Sequence, residues 1–119
     1  MTSSARVLSA STLIGDDVRN PQGEKLGTLK EIMLDTQAGE IAYGVLSFGG
    51  ILGLGDKLFA VPWPALQLHP EEHGFVLNVP KERLENAPGF DKDHWPDFAD
   101  PSFISTVRNF YDFPNETVR

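Results

Sequence analysis

The sequence predicts a mainly β protein: a small, strongly bent β-barrel of about six strands followed by a short C-terminal α-helix. Three observations carry this. Between Leu13 and about Val79, short apolar runs alternate with turn chemistry and no helix-length pattern intervenes, which argues against a parallel sheet with helical crossovers. Gly27 sits where the apolar alternation of one long strand changes phase, as a bulge or bend produces. Phe103, Ile104, Val107, Phe110 and Tyr111 fall at i, i+1, i+4, i+7 and i+8, the spacing of one helical stripe.

Taken in order, Met1 to Ala10 has scattered apolar residues and reads as a flexible lead-in. Asn20-Pro21-Gln22-Gly23 and Asp35-Thr36-Gln37-Ala38-Gly39 place Pro, Asn, Asp and Gly where tight turns need them, so Lys25 to Asp35 is one strand. Within it Leu26 is expected on one face, Leu29 and Met33 on the other, with Ile32 and Leu34 returning to the first. Ile41, Tyr43 and Val45 alternate with Ala42, Gly44 and Leu46, and the small residues suggest close approach by a neighbouring strand. Lys57 to Val61 and Phe75 to Val79 supply two further strands. Trp63, between Pro62 and Pro64, reads as an anchor in the core or at the barrel rim.

The character changes after residue 80. Lys81 to Glu85 allows at most two helical turns before Pro88-Gly89. An acidic, aromatic connector follows, and Asp100-Pro101 supplies an N-cap with Pro at the first helical position. The expected organisation is a lead-in over 1–10, a barrel over 11–80, and an extension over 81–119 with its helix near 101–112. The helical stripe must cover either its own barrel or another subunit.

Composition excludes several classes of function. A chain of 119 residues can bury about two-thirds of its surface in one core without a metal or disulfide. Seventeen Asp and Glu against ten Lys and Arg leave a formal charge of -7, which disfavours direct DNA binding and contact with phosphate backbones generally. The absence of cysteine excludes thiol catalysis and thiolate metal sites. The N-terminus lacks the apolar stretch of a signal peptide, and no run approaches a membrane span. A cytoplasmic protein without direct membrane insertion is expected, one for which a membrane-protein partner is possible.

Two motifs match in form and fail in context. His69-Pro70-Glu71-Glu72-His73 fits a zinc-binding spacing that needs a helix, yet it lies between two apparent strands with Gly74 beside it. The glycine-rich run Gly50 to Lys57 has Asp56 where a phosphate loop needs Lys, and a strand follows it. No Ser, His and carboxylate arrangement suggests a nucleophile, and the Asp91 to Asp100 cluster lacks the spacing of a calcium loop. The expectation is a protein that is not an enzyme, with no catalytic, cofactor-binding or metal-binding residues. Ile51, Leu52 and Leu54, large apolar residues in a loop, must fold inward or form a patch for a partner.

Together these residues resemble the PRC-barrel domain family, in the manner of its stand-alone bacterial members. The resemblance runs through Ile14-Gly15-Asp16-Asp17-Val18, Asn20 to Gly27, Asp35 and Gly39, and Ile41 to Val45. It continues through Phe48-Gly49-Gly50, Leu52 to Lys57 and Phe59-Ala60-Val61-Pro62-Trp63, with Trp95 to Pro101 similar to the extension after the barrel. The family includes the cytoplasmic domain of the photosynthetic reaction centre H subunit and the C-terminal domain of a ribosome maturation factor, and so implies work by contact. The expected function is a non-enzymatic protein-interaction module, an adaptor or accessory that forms a homodimer. The candidate partner contacts are Ile51, Leu52, Leu54, Phe103, Val107, Phe110 and Tyr111. The alternatives are a membrane-peripheral accessory of a photosynthetic or other electron-transfer complex, and a ribosome or RNA-processing assembly factor.

Overall fold

The computed structural model describes residues 7–48, 57–69, 74–87 and 89–111. Their order is α1 (Ala10–Leu13), β1 (Asp17–Arg19), β2 (Lys25–Asp35), β3 (Glu40–Phe48), β4 (Lys57–Pro62), a 3-10 turn (Trp63–Ala65), β5 (Leu66–His69), β6 (Gly74–Leu77), α2 (Lys81–Glu85) and α3 (Pro101–Phe110). The strands form one six-stranded curled sheet in the order β4-β3-β2-β1-β6-β5. Neighbours are antiparallel except β1 and β6, which run parallel with Val18 opposite Phe75. This is the expected bent barrel of six strands with a short C-terminal helix.

The bend at Gly27 is present. Val18 lies opposite Gly27 and Arg19 opposite Lys25, so Leu26 is the extra residue of a bulge. A Cβ on Gly27, whose φ is +156°, would stand 2.2 Å from the Ser47 carbonyl oxygen on β3. Two further register shifts, between Leu29 and Glu31 and between Met33 and Leu34, change the expected facing of β2. Leu29 joins Leu26 and Ile32 on the interior instead of sharing a face with Met33, which packs outside against Tyr43 and Ala60. Leu34 does not return to the interior; it is 65% exposed.

Strand β3 is buried on both faces, because two separate apolar layers cover the sheet. Inside the curl, Leu26, Leu29, Leu46, Phe59, Val61 and Phe75 form the main core, to which Leu84 and Ala87 of the α2 segment also belong. The small side of β3 accommodates side chains, not a neighbouring strand: a Cβ on Gly44 would meet Leu66 Cδ1 at 2.7 Å and Leu29 Cδ1 at 3.1 Å. Trp63 is half-buried on this core, with its ring 5.8 Å from that of Phe75 in an edge-on arrangement. The Asn20 turn is held from within. Its buried side chain accepts the Gln22 and Glu24 amides at 3.1 and 2.9 Å and donates to Glu24 Oε1 at 2.7 Å.

Candidate interaction surface

The second apolar layer lies outside the sheet. Asp100 caps α3, its Oδ1 accepting the Ser102 amide at 2.9 Å, and Pro101 follows at the first turn. Capping fixes where the helix starts, and the stripe then faces the outer surface of β3 and β4. Val107 is 2% exposed and clusters with Tyr43 and Ala60, so the stripe covers its own barrel. The connector is drawn onto the same surface by backbone pairing: Leu58 and Phe90 exchange two N–H···O bonds of 2.8 Å each, closing part of the open edge of β4.

Aromatic rings join helix and connector. Tyr43 lies 5.6 Å from Phe98 and 6.1 Å from Phe103, Phe98 lies 5.5 Å from Phe103, and Trp95 continues the row at 6.1 Å from Phe98. Phe98 and Phe103 are half-buried, while Trp95 is 39% exposed and donates its indole N–H to the Lys92 carbonyl at 2.9 Å. The row is therefore an apolar ridge open to solvent along one side. Its flanks are acidic, and these carboxylates have local work. Asp91 accepts the Asp93 amide at 3.0 Å, and Asp97 accepts the Ala99 amide at 3.0 Å. The hydrogen bond to His94 chiefly, then the Asp93 amide, holds the exposed Asp91 carboxyl below its ordinary range.

A cavity of about 310 Å³ opens where α3 ends. Pro64 and Ala65 of the 3-10 turn, with Leu77 and Val79, supply its apolar lining. Gln67, Asn78, Arg83 and Tyr111 supply its polar lining. Arg83 is held in place: its Nη2 donates to the Phe110 carbonyl, and the guanidinium lies over the Phe110 ring, 4.7 Å from the centroid.

Burial pushes both tyrosine hydroxyls above the ordinary value of 10.0, against the smaller opposing effects of Arg108 on Tyr43 and Arg83 on Tyr111. Above that pH the unfolded chain ionises its tyrosines while the folded chain resists. The tyrosine contribution is thus fully present below pH 10 and is lost as pH rises through the higher folded values. Urea unfolding should show a clear loss of stability between pH 9 and pH 11 that Tyr111→Phe reduces; an unchanged loss in that variant would contradict the assignment.

Of the residues expected to meet a partner, Ile51, Leu52 and Leu54 lie outside the described residues. Phe103, Val107, Phe110 and Tyr111 are brought together along α3, with Val107 sealed against the chain's own sheet and the other three half-buried. His69 ends β5 opposite Gly74, so the motif begins on an antiparallel hairpin and not on a helix; His73 lies outside the described residues. Among the described residues no three His, Asp or Glu side chains converge as a metal site. The sequence reading missed Arg83 and the cavity, because an Arg in a five-residue helix carries no signal of what lies opposite. It also missed Phe90, a lone aromatic whose edge pairing depends on a distant strand.

The fold and surface define a small curled β-barrel module whose C-terminal extension clasps its own outer face. The chain belongs to the PRC-barrel domain family, whose sequence model matches residues 6–84. That span reaches α2, whose Leu84 is fully buried in the barrel core. No curated protein matches the chain.

Proposed function

We propose that this chain is a non-catalytic protein-interaction module that pairs with a second copy of itself through its C-terminal extension. The observation that supports this is the ridge Trp95, Phe98 and Phe103, a row of aromatic surface left partly open beside the docked helix. Contact, not chemistry, is what such a surface offers. Its acidic flanks, Asp91, Asp93, Asp97 and Asp100, repel their copies across a two-fold interface, so self-association strengthens with salt. A basic partner on the same ridge would instead be weakened by salt.

Light scattering after size-exclusion chromatography tests this. The intact chain should show twice its 13.1 kDa mass, more completely at high salt, and Trp95→Lys should return it to monomer. A monomer at every concentration and salt would refute the pairing, and a dimer indifferent to Trp95→Lys would move the contact off the ridge.

A further inference from the structure

We propose that the edge of β2 beyond its pairing with β1 receives an extended segment of a partner protein, added antiparallel as a further strand, in which apolar and basic residues alternate. The first observation is the reach of the neighbouring strands. β1 pairs with β2 only as far as Thr28, and the last backbone bonds on that side join Gly15 and Asp16 to Leu29. β3 goes on pairing as far as Asp35, opposite Glu40. From Glu31 to Asp35, β2 therefore has β3 on one side and, among the described residues, no strand on the other. An edge of this kind is a template for another strand.

The second observation is where the backbone points. The Ile32 N–H donates to Glu31 Oε1 at 3.3 Å, a side chain next to it in the sequence, and is thus turned out of the ladder with β3. Backbone groups alternate in direction along a strand, which turns the Leu34 N–H and C=O to the same side. A partner carbonyl can displace the Glu31 carboxylate from Ile32, and the same segment then bonds Leu34. The Leu34 side chain, 65% exposed, gains apolar cover in the process.

The third observation selects the occupant. Ile32 and Leu34 share one face of β2, and Glu31, Met33 and Asp35 share the other, where Met33 packs against the Tyr43 cluster. An antiparallel partner sets apolar residues opposite the first pair and cations opposite Glu31 and Asp35, which are both exposed. The formal charge of -7 favours the same basic segment. A second copy fits poorly: the register that uses both open residues of each copy opposes Glu31 to Asp35 of the other, twice over.

The test adds a blocked, alternating Lys-Val peptide to the full chain at low salt and follows backbone amides by NMR and hydrogen exchange. Without peptide, the Ile32 and Leu34 amides should exchange rapidly at every protein concentration. At millimolar peptide both should shift saturably and exchange at least about tenfold more slowly. Valines lie opposite Ile32 and Leu34, so N-methylation of the valines should abolish binding and N-methylation of the lysines should not. A Glu-Val peptide should bind at least about threefold more weakly, and Glu31→Lys, at an exposed position, should narrow that difference. Leu34→Pro, which an edge strand tolerates where the N–H faces outward, should remove the protection. Amides already protected without peptide, equal binding of Glu-Val, sensitivity to lysine methylation instead, indifference to Glu31→Lys, or protection on β5 in place of β2 would each overturn the proposal.

Discussion

Gly27→Ala should destabilise the barrel by roughly 3–5 kcal/mol, enough to unfold much of the population, since it combines a strained φ with an overpacked contact. The added Cβ would lie 2.2 Å from the Ser47 carbonyl oxygen. That atom belongs to β3, which is paired on both sides and cannot withdraw without breaking the sheet. Gly23→Ala is the control. Its φ is +87° but nothing lies within 4 Å of the new Cβ, so only the left-handed backbone penalty of about 1 kcal/mol applies. Urea denaturation of the two variants should separate them by about 2 kcal/mol or more. Equal losses would mean that β2 can slide at its bulge.

Val107→Asp should detach α3 while leaving the sheet folded. Val107 is 2% exposed between Tyr43 and Ala60, so an aspartate there would be buried or expelled. Expulsion loses the apolar burial along the stripe, and either route costs about 3 kcal/mol or more. Near-UV circular dichroism should lose the signal of the Tyr43, Phe98 and Phe103 seam, and amides of 101–110 should exchange rapidly, while strand amides stay protected. Ser105→Asp, on the exposed side of the same helix, should stay within about 0.5 kcal/mol of the parent. If the sheet exchanges along with the helix, the extension is part of the barrel's cooperative unit.

How far the fold was legible can be followed along β2. Gly27 marked the bend because only the absence of a side chain allows that approach, and such a requirement is written in the residue itself. The shift between Leu29 and Glu31 left no mark, since Lys30 is an ordinary exposed residue and the irregularity is set by how β3 pairs. Leu29 was therefore assigned to the wrong face. The α3 stripe was legible to the residue, from its cap at Asp100 to Tyr111, but its target was not. Periodicity says that a face must be covered, not what covers it.

The sequence by itself determined the local features: the turns at Asn20 and Asp35, the bend at Gly27, the start of α3, and a class of fold built from short strands. Each depends on residues within a few positions of one another, where backbone sterics and capping act. Only the tertiary structure decided that α3 closes on β3 and β4 of its own chain, that Phe90 pairs with the edge at Leu58, and that Arg83 meets Phe110 and Tyr111 beside a cavity. Those contacts join residues 27 to 64 positions apart. Their partners are selected by the curl of the whole sheet, which brings together surfaces that no local pattern encodes.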